Sequence, residues 1–268
     1  MIGTLICFCV SQMAIDSRYK YVELSSSTST VFVHHPVPLY FNPEGYFLKM
    51  YGFLSVGTAL AVMIQGTNAA TSAIASWYGG NLDGGNCAFT GYTLPSGVLG
   101  TALSHTNYNG NCGTCLNVKG PNGNTIKVMV VDKCPQGCAA GQLDLFPDAF
   151  AKLDNRDKGL INIQWEQVSC GITSPMVVRN KVGTSKWWFS MQVMNHNYPV
   201  IKFEVSIDGG KTWQSTVRQD YNYWQKSSGD GFNVDAMTVR VTCSNGKQVI
   251  LNNIGTKGEA QFKASGNC

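Results

Sequence analysis

The stretch CLNVKGPNGNTIKVMVVD, residues 115–132, decides the fold class of this chain. Two runs rich in Val and Ile flank a Gly-Pro-Asn-Gly segment, which is the pattern of two β-strands joined by a turn. The pattern recurs around IDGGK, residues 207–211, and around SNGK, residues 244–247, where Asn-Gly is the strongest two-residue hairpin signal. One short helix is predicted in PDAFAKLDN, because Pro147 suits a first helical position. The sequence therefore predicts a mainly β protein.

Composition narrows the possible function classes. Charged residues make up only 13% of the chain, and 29 Gly in 268 residues exceed the usual share of about 7%. Both values are typical of β structure rich in turns. The net charge of +4 comes without clusters of Lys and Arg, so the sequence lacks the basic patch that is typical of nucleic-acid-binding proteins. We expect no nucleic-acid partner.

Ten cysteines indicate the redox compartment. Eight of them lie beyond residue 80, and an even number in a Gly-rich chain favours disulfides formed in an oxidising environment. CGTC at 112–115 and CPQGC at 134–138 also approach the ligand spacing of a zinc ribbon. Zinc would leave the other four cysteines unexplained, so we favour disulfides and expect no metal and no cofactor.

A break in the strand pattern at GITSP, residues 171–175, divides the rest of the chain into two units of about a hundred residues. Six of the eight cysteines precede this break and two follow it, so each unit can pair its own. Six cysteines allow fifteen connectivities. The pairings that we favour are Cys87–Cys112, Cys115–Cys170 and Cys134–Cys138 in the first unit and Cys243–Cys268 in the second.

A secretory signal is readable inside the chain. Lys49 precedes the apolar run 51–64, and small residues follow it, which is the order of a signal peptide. The run is too short to span a bilayer comfortably. We interpret residues 50–70 as a signal peptide and expect a secreted protein whose mature chain does not insert stably into membranes. Two interpretations of the N-terminal extension 1–49 stay open. If translation starts near Met50, the extension is a gene-model artefact; otherwise it is part of a long signal peptide or a membrane anchor.

Two acids are candidates for chemistry. Asp132 ends the apolar run IKVMVVD, and Asp144 lies between two Leu in GQLDLF. Partial burial would raise the pKa of such a carboxyl and suit it to protonate a leaving oxygen. Alternatively, each acid caps a loop or a helix end. Glycoside hydrolysis needs two carboxylates across the scissile bond, and Asp83 is a further candidate partner.

Aromatic residues are concentrated in the second unit. Four of the six Trp lie there, and Trp187 and Trp188 are adjacent in SKWWFSMQVM. On a regular strand, adjacent side chains point to opposite faces; at the entry of a strand, after the preceding turn, both can face solvent. About half of these aromatics would be core residues, whereas a row of exposed rings suits the apolar face of a sugar.

The motifs of the chain, taken in order, resemble those of the expansins, and of the microbial expansin-like branch in particular. These motifs are ASWYGG at 75–80, CGTC, VDKCPQG at 131–137, QLDLFPDAF at 142–150, INIQWEQV at 161–168, KWWFSMQVMNHNYPV at 186–200 and QDYNYW at 219–224. The resemblance implies a six-stranded double-psi β-barrel over 71–171, related to family-45 glycoside hydrolases. It implies an immunoglobulin-like β-sandwich that binds cellulose over 172–268.

The resemblance also implies roles for single residues. Asp144 matches the acid on which wall loosening depends, and Asp132 matches the neighbouring acid. Ser76 and Tyr78 match floor residues usually written Thr and Tyr. The implied glucan-binding residues of the sandwich are Trp187, Trp188 and Tyr221, with Lys181 beside them.

Three departures from the family pattern matter. The plant motif His-Phe-Asp is Gln142-Leu143-Asp144 here, which puts plant-type activity in doubt. Cys134 replaces a Tyr that is frequent in bacterial relatives. The second catalytic Asp of the related hydrolases has no counterpart in ASWYGG.

Three functions are compatible with these patterns. The leading hypothesis is a secreted, monomeric, non-enzymatic protein that binds cellulose or cell-wall glucan and loosens non-covalent contacts. The second is a glycoside hydrolase or lytic transglycosylase with Asp144 as general acid and Asp132 or Asp83 as its partner. The third is a carbohydrate-binding or barwin-like defence protein without mechanical effect.

Overall fold

The computed structural model describes residues 23–26, 29–32, 70–80 and 82–268. The chain divides into two compact units, Met1–Met63 and Ile64–Cys268. In the N-terminal unit, Met1–Met63, strand β1 (Glu23–Ser26) pairs antiparallel with β2 (Ser29–Phe32). The rest of the predicted extension 1–49, and the predicted signal peptide up to residue 69, lie outside the described residues.

The C-terminal unit, Ile64–Cys268, begins with six strands and two helices. Their bounds are β3 (Thr71–Trp77), β4 (Val98–Ser104), α1 (His105–Tyr108), β5 (Cys115–Lys119), β6 (Thr125–Cys134), β7 (Leu143–Leu145), α2 (Pro147–Leu153) and β8 (Ile161–Val168), with a 3₁₀ turn at Arg156–Lys158. The six strands close a barrel in the order β3-β7-β4-β6-β5-β8. The pairs β3–β7 and β4–β6 are parallel, and the other four are antiparallel.

Apolar side chains that point inward at alternate positions of the strands fill the barrel interior. In β7, Leu143 and Leu145 are fully buried while Asp144 between them is only partly covered, because successive side chains point to opposite faces. Helix α2 starts at Pro147, as the sequence predicts, and buries Phe150 and Leu153. The polar segment SHTNYNGN, residues 104–111, contains α1, one helical turn that buries Tyr108.

Nine strands follow the barrel. They are β9 (Val177–Asn180), β10 (Ser190–Met194), β11 (Val200–Ser206), β12 (Gln214–Ser215), β13 (Val217–Arg218), β14 (Trp224–Gln225), β15 (Ala236–Cys243), β16 (Gln248–Gly255) and β17 (Gln261–Lys263). They form two antiparallel sheets, ordered β13-β14-β10-β9-β17 and β12-β11-β15-β16. Both sheets contribute to one apolar core, for example through Met191 and Val239. The predicted mainly β fold, a six-stranded barrel followed by a β-sandwich, is confirmed.

Four disulfides cross-link the described residues, and they are the pairs favoured from the sequence: Cys87–Cys112, Cys115–Cys170, Cys134–Cys138 and Cys243–Cys268. The cysteines of CGTC and CPQGC are therefore all bonded to other cysteines. Zinc needs deprotonated thiolates as ligands, so these residues do not form the zinc ribbon that their spacing also allowed.

The five-stranded sheet packs against a barrel loop through polar side chains. Gln192 and Asn222 both donate from their amide groups to the carbonyl of Cys87, at 2.8 and 3.1 Å. Arg179 donates to the carbonyl of Ala88 at 2.6 Å. These bonds satisfy carbonyl groups that barrel pairing leaves free, and they join the sandwich to the loop held by Cys87.

Candidate functional site

The register of the barrel strands brings the two predicted acids onto one face. Asp144 on β7 lies opposite Ala102 on β4, and Ala102 lies opposite Asp132 on β6. On the other side of β7, Asp144 lies opposite Ser76 on β3. Directly opposite residues of neighbouring strands share a face. Because strands lie about 4.8 Å apart, the Cα atoms of the two acids are roughly 10 Å apart.

Asp144 is held by a short chain of hydrogen bonds. The hydroxyl of Ser76 donates to Asp144 Oδ1 at 2.7 Å, and Gln142 Nε2 donates to Ser76 Oγ at 3.0 Å. Burial raises the pKa of Asp144 above its ordinary value; the hydrogen bond from Ser76 opposes the shift, and the negative charge of Asp132 adds to it. The carboxyl is thus partly desolvated, but it keeps a donor that favours its charged form.

Asp132 is more heavily hydrogen-bonded than Asp144. Its Oδ1 accepts from the backbone N–H groups of Asn86 at 2.6 Å and Lys133 at 2.7 Å, and its Oδ2 accepts from the Tyr78 hydroxyl at 3.1 Å. Burial and then the charge of Asp132 raise the pKa of Tyr78 well above its ordinary value, so this hydroxyl keeps its proton. We call Ser76, Tyr78, Asp132 and Asp144 the acid cluster.

A cavity of about 400 Å³ lies next to Asp132, and its lining residues are Asn86, His105, Lys133, Pro135 and Gln136. The Cys134–Cys138 disulfide closes the loop that borders it. His105 is exposed. Asp83, the other candidate partner of Asp144, is exposed and accepts a hydrogen bond from Gly91 N–H at 3.3 Å. Its observed role is to close a loop.

The adjacent tryptophans lie before a strand and not on it. Lys186, Trp187 and Trp188 form a bend, and β10 starts only at Ser190. The pleat therefore does not force the two side chains to opposite faces. Trp187 is 65% exposed, Trp188 is half-buried, and Phe189, which enters the core, is 1% exposed. The indole of Trp187 is thus not a core side chain.

Hydrogen bonds hold Tyr221 beside this segment. Gln225 Nε2 donates to Tyr221 Oη at 2.9 Å and to Ser190 Oγ at 3.2 Å, which ties Tyr221 to the strand that begins two residues after Trp188. The Tyr221 and Tyr223 rings lie 6.0 Å apart, and the ammonium of Lys181 lies 5.7 Å from the centre of the Tyr223 ring. We call Trp187, Trp188, Tyr221 and Lys181 the aromatic surface.

The acid cluster and the aromatic surface are joined by residues that motif analysis missed. Asn86, whose backbone N–H bonds to Asp132, donates through its side chain to the carbonyl of Asp220 at 2.9 Å. The carboxylate of Asp220 lies 3.4 Å from Lys133 Nζ, and Asp220 directly precedes Tyr221. Because 134 residues separate Asn86 from Asp220, no local sequence signal could have predicted this contact.

The described residues contain no group of three His, Cys, Asp or Glu that could hold a metal ion. Within the same residues, every helix is too short or too polar to span a bilayer.

Comparison with known proteins identifies the family. No protein-family model matches the chain. Expansin-YoaJ of Bacillus subtilis is 39% identical over 181 residues, which cover 65% of this chain and 74% of that protein. Expansin-like protein 2 of Dictyostelium discoideum is 33% identical over 195 residues, covering 66% of this chain and 47% of the relative.

Solved structures agree with these sequence matches. The apo crystal structure of a Clavibacter michiganensis expansin aligns with a TM-score of 0.65 and 31% identity, covering 74% of this chain and 97% of that one. A mutant of the same expansin, crystallised in complex with cellohexaose, aligns with a TM-score of 0.65, 30% identity and the same coverage. Sequence and architecture agree over the barrel and the sandwich, and this chain therefore belongs to the expansin family.

Proposed function

We propose that the protein is secreted, binds cellulose or a related cell-wall glucan as a monomer, and loosens non-covalent contacts between chains without hydrolysis. The exposure of Trp187, with 65% of its surface accessible, is the observation that carries this proposal. Exposed aromatic side chains that lie together mark an interaction surface, and Trp187 is adjacent to the half-buried Trp188. The apolar face of a glucan stacks on such a ring while its hydroxyl groups stay solvated.

The glucan-binding residues in this proposal are Ser76 and Tyr78 in the barrel and the four residues of the aromatic surface. Asp144 is the acid needed for loosening, with Asp132 as its neighbour. The related Clavibacter michiganensis expansin was crystallised in complex with cellohexaose, which supports a β-glucan as the ligand class. The contact between Asn86 and Asp220 supports a binding path from the acid cluster to the aromatic surface.

The hydrogen bonds of Asp132 support a non-hydrolytic role. A hydrolase would need a second carboxylate to activate water or to attack the sugar. A carboxylate has about four lone-pair sites, and three donors from Tyr78, Asn86 and Lys133 already occupy Asp132. Only one lone-pair site of Asp132 is therefore left to hold and orient an attacking water.

Adsorption to insoluble cellulose tests the binding surface. Replacing Trp187, Trp188 and Tyr221 together by Ala should abolish depletion of the protein from solution while leaving its thermal unfolding unchanged. Trp213→Ala is the matched control, because Trp213 directly precedes β12 of the other sheet and its ring centre lies 4.1 Å from the guanidinium carbon of Arg240; it should adsorb like the wild type. Unchanged adsorption of the triple variant would refute the aromatic surface.

Hydrolysis remains a second candidate because burial raises the pKa of Asp144, as a general acid requires. Extension of a clamped, heat-inactivated wall strip and release of reducing sugar from cellulose separate the two functions. We expect extension without sustained sugar release, and Asp144→Asn should adsorb normally but lose the extension. Continuous sugar release that Asp144→Asn abolishes would establish the hydrolase instead.

A further inference from the structure

Gln142 is almost completely buried beside Asp144 and has one side-chain hydrogen bond at each end. It is 8% exposed. Its Oε1 accepts from the backbone N–H of Ala139 at 2.9 Å, and its Nε2 donates to Ser76 Oγ at 3.0 Å. Its backbone is held as well, since Gln142 N–H donates to the Ala139 carbonyl and the Gln142 carbonyl accepts from Ser104 N–H.

The Ala139 N–H decides which way the amide of Gln142 points. A backbone N–H is an obligatory donor, so the oxygen of the amide must face it. A flipped amide would place its NH₂ group against this N–H and leave two donors facing each other. The NH₂ group of Gln142 is therefore directed at Ser76, where it can only donate.

This orientation in turn decides where the Ser76 hydroxyl proton goes. A serine hydroxyl has one proton and two acceptor sites. One acceptor site takes the N–H of Gln142, and the proton points to Asp144 Oδ1 at 2.7 Å. If Asp144 were protonated and donated to Ser76, the hydroxyl would receive two donors, and its own proton would have to turn away from both partners.

We propose that Gln142 is a positioning residue, which fixes the direction of the Ser76 hydroxyl proton so that this hydroxyl donates to Asp144. The chain of donors runs from Ala139 through Gln142 and Ser76 to Asp144, and it favours the charged form of Asp144 against its partial burial. A charged carboxylate accepts a stronger hydrogen bond than a neutral one from a sugar hydroxyl. This last consequence, and no other part of the inference, rests on the proposed function.

The test is a pH titration of the Asp144 carboxyl carbon by NMR in the full-length protein. Gln142→Met keeps a buried side chain of similar length but removes the side-chain N–H that donates to Ser76, so the pKa of Asp144 should shift upward. Ser76→Ala should also shift it upward. In the Ser76→Ala background, Gln142→Met should cause no further shift, because Gln142 acts through the Ser76 hydroxyl. Ser76→Thr, which keeps a hydroxyl, should restore the sensitivity to Gln142→Met.

Gln142→Glu provides a second variant with nearly the same shape. Its carboxylate can accept both from Ala139 N–H and from the Ser76 hydroxyl, so Asp144 would lose its donor and gain a neighbouring negative charge. We expect the largest upward shift for this variant. An unchanged Asp144 titration in both folded Gln142 variants would overturn the proposal, and so would an equal shift with and without Ser76.

Wall-strip extension separates this proposal from the proposed function. If the titrations behave as expected but the wild-type protein extends no wall, the proposed function fails and the positioning role stands. If the wild type extends walls and Gln142→Met changes neither the extension nor the titration, only the positioning role is refuted.

Discussion

A single glycine supports the exposed tryptophan segment. A Cβ atom on Gly231 would lie 2.1 Å from the Lys186 carbonyl oxygen and 2.6 Å from the Trp187 carbonyl carbon. The backbone N–H of Asn233 donates to the same Lys186 carbonyl at 2.8 Å. The bend that carries Trp187 therefore rests directly on the backbone of residues 231–233. Only a residue without a side chain permits this approach.

Gly231→Val should weaken adsorption to cellulose without altering any aromatic residue. The new side chain must push the bend away, and loss of one stacked ring, about 1.4 kcal/mol, corresponds to about a tenfold weaker affinity. The measurement is an adsorption isotherm. Gly266→Ala is the control, because a Cβ at Gly266 meets nothing within 4 Å. Wild-type adsorption by Gly231→Val would show that the bend does not depend on this contact.

At the level of elements, the disulfides differ in what they connect. Cys115, at the start of β5, bonds to Cys170, just after the end of β8, and 55 positions separate them. Cys134, the last residue of β6, bonds to Cys138 only 4 positions later. The first bond links two neighbouring barrel strands, whereas the second shapes a single loop beside the acid cluster.

We expect the two disulfides to contribute unequally to stability. On the loop-entropy estimate, the bond spanning 55 positions stabilises by about 4 kcal/mol and the bond spanning 4 positions by about 2 kcal/mol. Urea unfolding of Cys115→Ala/Cys170→Ala and Cys134→Ala/Cys138→Ala measures both losses. Equal losses, or a larger one for the short loop, would contradict the expected order.

At the level of the whole molecule, buried charged and titratable groups join the barrel to the sandwich. Arg218 donates to the carbonyl of Gly110 and to Asn222 Oδ1; burial lowers its pKa to about 10, so it stays charged at neutral pH. His196 packs on Gly113 of the barrel, and its Nδ1 lies 2.9 Å from the Tyr198 carbonyl. Burial is the main cause that lowers the pKa of His196 to about 4, and the positive charge of Arg218 adds to this shift.

The stability of the whole molecule should therefore fall as pH is lowered from about 6.5 to about 4. An unfolded histidine has a pKa near 6.5, so in this window the unfolded chain binds more protons than the folded one. The contribution of His196 is fully present above pH 6.5, and its loss reaches about 3 kcal/mol near pH 4. Chemical unfolding at several pH values measures this slope.

His196→Gln removes the titrating group and can still donate to the Tyr198 carbonyl. Its stability should vary less than that of the wild type between pH 6.5 and pH 4. Acidic groups titrate in both proteins, so only the difference between the two curves bears on His196. Parallel curves would show that the folded protein protonates this histidine without cost.

Local patterns determined much of this protein. Strand alternation, Asn-Gly and Gly-Gly turns and the Pro147 helix start predicted the mainly β class, and the ordered motifs predicted the family. These features depend on residues close in the chain, because the side-chain period of a strand and the φ angles of a turn are local properties. Ser76, Asp144, Trp187 and Tyr221 were singled out in the same way, by motif.

Only the tertiary structure decided how these residues are connected. The direction of the Ser76 proton depends on Gln142, the link from Asp132 to the Tyr221 loop depends on Asn86, and the support of Trp187 depends on Gly231. These contacts join positions up to 134 residues apart. Hydrogen-bond direction and close backbone approach depend on packing between distant segments, and no local period or turn signal encodes them.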